Sequence, residues 1–215
     1  MLLKTYMRSI LEEETAADQT IDLQHINAKL LLEGSDLDPG VLDAVIPIFH
    51  SWIQSQISPG HLLIDVADYR HVHHGPGIVL VGHEADYAVD NTNGRLGLRY
   101  NRKAVVTGTN DEKLAQAFKA ALSAAKQLQE DTRLNKKLNF NGHDIEIFVN
   151  DRIIAPNGDA TRQAFDPVLR RVLTQLFAGA EYSVRYESDL RRLFGATIHS
   201  ERVFPVDELI QNLNS

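Results

Sequence analysis

Cysteine is absent from the 215 residues. That absence excludes disulfides, a thiolate nucleophile and cysteine-ligated zinc or iron–sulfur sites, so any metal must be held by His, Asp or Glu. Long apolar runs are missing as well. None approaches the roughly 20 residues that cross a bilayer, and the first residues lack the basic, apolar and small-residue succession of a secretory signal. The expectation is a soluble, cytoplasmic protein with no membrane partner. Positive charge is the scarcer sign, with 22 Lys and Arg against 29 Asp and Glu and a formal charge of −7. Nonspecific nucleic-acid binding depends on cations that displace phosphate counterions, so no nucleic-acid partner is expected. No GxxxxGK[ST] loop, GxGxxG turn or GxSxG elbow occurs, and His83-Glu84-Ala85-Asp86-Tyr87 lacks the second histidine of an HExxH helix.

What is present is ordinary globular material, 43% hydrophobic and 24% charged, long enough to bury one substantial core. Leu2, Leu3, Tyr6, Met7, Ile10 and Leu11 form a one-sided stripe of helical spacing. It can dock on its own core or reach a protein partner or a second copy of the chain. Residues 21–33 read as a strand. Val41, Val45, Ile48, Trp52 and Ile53 share a helix face in which Pro47 predicts a kink or break. Leu62 to Val66 and Ile78 to Val81 read as strands, and Asn93-Gly94 signals a hairpin between strands near 87–89 and 96–100. Asp111 and Glu112 open a helix carrying Leu114, Phe118, Leu122 and Leu128, expected to cover the strands near 62–66 and 78–83. Alternation predicts a strand over 144–149. Asp166 and Pro167 are expected to cap and open a helix that Gly179 ends, and strands near 182–186 and 197–203 precede a short final helix.

The fold class expected is α+β, a mixed and largely antiparallel sheet with helices packed on it, as a single domain over 1–215. The order strand, helix, strand, strand occurs over 21–103 and again over 143–204, joined by the helix at 111–130. DPGVLDAVIPIF set against DPVLRRVLTQLF is the best matching part of this candidate pseudo-repeat of two β-α-β-β halves.

Candidate chemistry concentrates in His71-Val72-His73-His74-Gly75-Pro76-Gly77. In an extended segment His71 and His73 project to one side, close enough to share a divalent ion such as zinc. His83, Glu84, Asp65 or Asp68 could complete the set, and His71, His73, His83 and Glu84 form the candidate metal site. Pairing across a turn at Pro76 sets His83 level with Tyr69 or Arg70, so it meets His71 only if the loop bulges. Two other readings stay open: imidazoles that satisfy backbone groups at a difficult turn, and a metal-free ligand site in which Gly75 and Gly77 admit a ligand to the backbone beside His74. Arg95, Arg99, Arg102 and Lys103 form a basic patch in an acidic chain. Arg95 and Arg99 share a face suited to a carboxylate or phosphate, or else the patch is a solvated edge that discourages aggregation.

The runs DVADYRHVHHGPGIVLVGHEADYAVD, LGLRYNRKA and FVNDRIIAPNGDA resemble an uncharacterised family of bacterial hypothetical proteins of about this length. The resemblance implies a bacterial, cytoplasmic origin and brings with it no activity, cofactor or catalytic residue. The function expected from the residues is small-ligand or metal-ion binding centred on the loop 71–77. The alternatives are a metal-dependent hydrolase, in which a histidine-held ion activates water, and a non-enzymatic interaction or assembly factor.

Overall fold

The computed structural model describes residues 21–34, 39–56, 61–72, 75–135 and 138–215. The expected N-terminal helix over residues 2–11 lies outside them. The elements run β1 (Ile26–Leu32), α1 (Pro39–Ser55), β2 (Leu63–Asp68), β3 (Ile78–Gly82), β4 (Ala85–Asp90) and β5 (Gly97–Arg102). They continue as α2 (Asn110–Glu130), β6 (Phe140–Val149), α3 (Asp159–Leu176), β7 (Tyr182–Tyr186), β8 (Gly195–Ser200) and α4 (Val206–Asn214). The eight strands form one sheet in the order β2-β3-β4-β5-β1-β6-β8-β7, and every pairing in it is antiparallel. The protein is therefore α+β, with β5 and β1 adjacent at the middle of the sheet and β6 on the other side of β1.

Register decides which side chains share a face. Val66, Leu80, Tyr87, Tyr100, Ala28, Ile147, Ala196 and Tyr186 stand directly opposite one another across all eight strands. This row faces the helices: Gln116 of α2 donates to the Tyr100 hydroxyl at 3.0 Å, and the Tyr186 hydroxyl donates to Asp166 of α3 at 2.9 Å. Leu114, Phe118 and Leu122 of α2 are fully buried, as their spacing predicts. They lie over β1 and β5, whereas α1 covers the β2–β3 hairpin. The helix expected over that hairpin is thus replaced by the one that precedes it in sequence.

Two helix boundaries differ from the sequence expectation, both because burial outweighs a proline. α1 runs unbroken through Pro47, held by Val45, Ile48, Phe49 and Trp52, all buried on one side. α3 begins at Asp159 rather than at Pro167, since Thr161 and Phe165 extend its buried stripe by two turns. Phe165 packs edge-on against Phe194 at 5.2 Å. Asp166, no cap, instead accepts from Arg170 Nε at 2.6 Å. α2 starts with a capping box in which Thr109 and Glu112 satisfy each other's backbone N–H groups. Asn93 and Gly94 both take positive φ, 62° and 68°, in the turn that joins β4 to β5, as their hairpin signal predicts.

Gly97, at the start of β5, is opposite both Leu31 and Asp90. A Cβ there would come within 2.4 Å of the Leu30 carbonyl and 3.0 Å of Lys29 Cε. Gly97→Ala is therefore expected to destabilise the fold by about 1–3 kcal/mol, the usual range for overpacking, measured by urea unfolding. Substitution without loss of stability would mean that the strands have room to separate.

His61 lies against the Tyr100 ring, centroids 6.5 Å apart, with Arg102 Nη1 3.4 Å from its Nε2. Burial foremost, then the Arg102 charge, push this imidazole below its ordinary pKa. The unfolded chain then takes up the proton first. The stability His61 contributes is complete above about pH 6.5 and is lost as the pH falls from there toward the folded value. His61→Gln should flatten that part of a stability-against-pH curve. An unchanged curve would assign the slope to other groups.

Candidate functional site

The face of the sheet turned away from the helices carries a second full row: Ala67, Val79, Ala88, Arg99, Lys29, Glu146, Thr197 and Arg185. Its first three members are small or apolar, and from β5 onward it is polar. That half of the face lines a groove of about 800 Å³, rimmed by the turn after β4 and by the segment 187–193 between β7 and β8.

Asp90, fully buried at the end of β4, organises the groove floor. Lys29 Nζ lies 2.7 Å from its Oδ1, and the two side chains are 2% and 0% exposed. Lys29 belongs to β1 and Asp90 to β4, with β5 between them. The missing side chain at Gly97 lets the lysine stem cross. The backbone N–H of Thr92 donates to the same Oδ1 at 2.8 Å. Arg99 Nη1 stands 2.6 Å from Oδ2, yet misaligned, since neither Oδ2 nor the buried Arg99 Nε has a hydrogen-bond partner among the described residues. One carboxylate thus answers two cations. Beside them Arg95 pairs with Glu146 at 3.1 Å and reaches Thr197 Oγ1 at 3.4 Å.

A second cluster occupies the same face one strand repeat further along β6 and β8. Asp144 is directly opposite His199, as Glu146 is opposite Thr197. Regular pleating would turn His143 to the far face. A bulge prevents that: β1 advances from Leu30 to Leu32 while its partners on β6 run from Ile145 to Phe140. The Asn141 side chain fixes the bulge, its carbonyl accepting from the N–H groups of His143 at 3.1 Å and Asp144 at 3.0 Å. Gly142 has φ +69° and backs onto the Phe204 carbonyl, which a Cβ would meet at 2.2 Å, so no other residue fits. The consequence is convergence. His199 Nδ1 lies 2.8 Å from Asp144 Oδ1, His143 Nε2 lies 3.3 Å from Asp144 Oδ2, and the two imidazole rings are 4.9 Å apart. One ligand atom from each residue falls within 4.8 Å of the others. All three side chains are partly exposed, so an ion can reach them.

The histidine-rich loop is arranged otherwise. His73 and His74 lie outside the described residues. β2 and β3 do pair, with Asp68 opposite Ile78 and Leu63 opposite Gly82, but the connection is a wide loop in which Tyr69 N–H donates to the Gly77 carbonyl at 2.8 Å. His71 stands at that loop. His83 stands past the other end of β3, level with Leu62, to whose carbonyl its N–H donates at 2.7 Å. Five residues of strand separate them, roughly 16 Å at about 3.3 Å per residue. The candidate set of His71 with His83 and Glu84 is therefore not brought together.

The carboxylates have other work. Glu84 accepts from Leu62 N–H at 2.9 Å, the chief reason its pKa is lowered, and Arg70 holds the Asp68 carboxyl down at about 2. Gly75 and Gly77 admit protein backbone rather than a ligand: a Cβ would meet Val72 and Tyr69 at Gly75, and the Val89 carbonyl at 2.1 Å at Gly77. Arg95 and Arg99 do face one groove together. The sequence reading missed His143, Asp144 and His199. The Asn141-Gly142 pair, a turn signal inside a strand, marks the bulge, but the pairing with His199 has no local signature.

Among the described residues no helix is long and apolar enough to cross a membrane. Comparison with protein-family models, with curated proteins and with solved structures finds no match.

The buried cluster predicts an asymmetry. Asp90→Asn leaves Lys29 and Arg99 without their anion and should cost about 3–5 kcal/mol. Lys29→Met should cost less, because Asp90 keeps Arg99. Thermal or denaturant unfolding of both variants checks this, and an equal or reversed order would show that Asp90 is not the shared partner.

Proposed function

We propose that this chain binds a divalent metal ion through His143, Asp144 and His199. The observation that supports it is the bulge in β6, which turns consecutive residues to the same side and sets two imidazoles and a carboxylate around one point. Two ligands each about 2.1 Å from a tetrahedral ion stand roughly 3.4 Å apart. The observed separations are of that order, 2.8 Å from His199 Nδ1 to Asp144 Oδ1 and 3.3 Å from His143 Nε2 to Asp144 Oδ2, with one ligand atom of each residue within 4.8 Å of the others. A set of two imidazoles and one carboxylate suits zinc and its neighbours rather than the hard, oxygen-seeking calcium or magnesium. Three protein ligands also leave a coordination position for water, which is what the hydrolase alternative requires. The metal-binding role expected of the loop 71–77 is thereby assigned to the other half of the sheet.

The test uses full-length protein carrying no His tag, stripped with a chelator and titrated with zinc. One equivalent is expected to bind, and His143→Ala, Asp144→Ala and His199→Ala should each weaken binding by at least about 10- to 100-fold, the range found for groups that merely support ligands. Affinity should also fall on acidification, because a ligating imidazole must be unprotonated. His71→Ala and His83→Ala should change nothing. Unaltered zinc affinity in the first three variants, or loss in the last two, overturns the assignment.

A further inference from the structure

We propose that the groove beside this cluster binds a small molecule carrying two or more phosphate charges. The placement of charge in the groove supports this without any metal. In a chain of formal charge −7, the groove is lined by seven basic side chains and three acidic ones. Pair by pair the excess can be located. Arg95 is answered by Glu146, Arg192 by Glu187 at 3.3 Å, and Arg191 by Asp189 at 2.8 Å. Asp90 is shared by Lys29 and Arg99, which leaves one positive charge on the groove floor, at least partly desolvated. Among the described residues Arg152 and Arg185 have no carboxylate partner. Arg152 Nη2 donates instead to the Arg191 carbonyl at 2.6 Å, at the edge of the same groove.

Three unanswered cations therefore surround one concave space. A lone carboxylate would neutralise one of them. A phosphate monoester carries about −1.5 to −2 at neutral pH and presents oxygens that accept from several guanidinium groups at once. The Arg99 guanidinium, 21% exposed and sharing with Lys29 its only carboxylate among the described residues, supplies the central contact, and its partial desolvation strengthens its attraction for an anion. Arg99 and Arg185 end a cross-strand row of five residues, about 19 Å at roughly 4.8 Å per strand. That span fits a compact ligand with more than one charged group. It is short for a nucleic acid, whose flanking phosphates would meet the acidic remainder of the chain.

The experiment titrates chelator-stripped full-length protein with pyrophosphate by calorimetry, with citrate and a single-stranded oligonucleotide as comparators. Saturable one-to-one pyrophosphate binding is expected, at least tenfold tighter than citrate, weakening as salt rises. The exposed double variant Arg152→Ala, Arg185→Ala should weaken it at least tenfold while retaining the native circular dichroism and unfolding midpoint. Arg99→Lys, which preserves the charge beside Asp90 but loses the fork, should weaken it as well. His143→Ala and His199→Ala should bind pyrophosphate normally, so that failure of the metal site and failure of the groove are told apart. No saturable binding, equal binding in the arginine variants, citrate as tight as pyrophosphate, or a far tighter oligonucleotide would each overturn the proposal.

Discussion

The carboxylate of Asp90 is the constraint on which this side of the molecule depends. A charge with no solvent exposure persists only if its surroundings replace the water it has lost, and the replacement comes from β1, β5 and the turn after β4. Lys29 must cross β5 to reach it, so β5 must begin with a residue that has no side chain. Three strands are thereby held in one register by a polar contact rather than by apolar packing alone. A slip of one residue would turn Lys29 toward the helices and away from Asp90.

The two faces of the sheet divide the work. The helix-facing row is aromatic and aliphatic and supplies the core, with Tyr100 and Tyr186 each directing a hydroxyl to a polar partner on the covering helix. Because the helices bury that face alone, the other is free to hold charged groups at partial depth. There, cations and anions are desolvated enough to interact strongly and still open to a ligand. Both proposed sites stand on this second face, one strand repeat apart on β6 and β8, roughly 7 Å along the strands. An ion held by His143, Asp144 and His199 would thus sit beside a groove with excess positive charge, and an anionic ligand could approach both.

Irregularity placed the first of these sites. An ideal β6 would alternate and send His143 and Asp144 to opposite sides of the sheet. Asn141 and Gly142 break the alternation, the former by capping two N–H groups with its side chain and the latter by fitting against Phe204 where no Cβ can stand. The contrast with the loop 71–77 is instructive. There a concentration of histidines suggests a site, but a wide connection and five residues of regular strand keep His71 and His83 apart. Proximity in sequence is poor evidence of proximity in space when an extended strand intervenes.

By itself the sequence determined the α+β class, the stripe of α2 with its acidic start, the β4–β5 hairpin at Asn93-Gly94 and the shared face of Arg95 and Arg99. Each of these rests on a local rule: a period of 3.6 or 2, a charge at a helix end, a turn residue that tolerates positive φ. Local rules failed at Pro47, where burial of Ile48 and Phe49 keeps going a helix that the proline was expected to kink or break, and at Pro167, expected to open a helix that burial of Phe165 carries back to Asp159. What only the tertiary structure decided was which strands became neighbours. Asp90 and Lys29 are 61 residues apart, and Asp144 and His199 are 55 apart. Each pair is joined across a sheet whose strand order departs from chain order, so the groove and the His143–Asp144–His199 cluster exist only once long-range register is set. No periodicity within a strand specifies that register, because it is chosen by the sum of burial over the whole sheet.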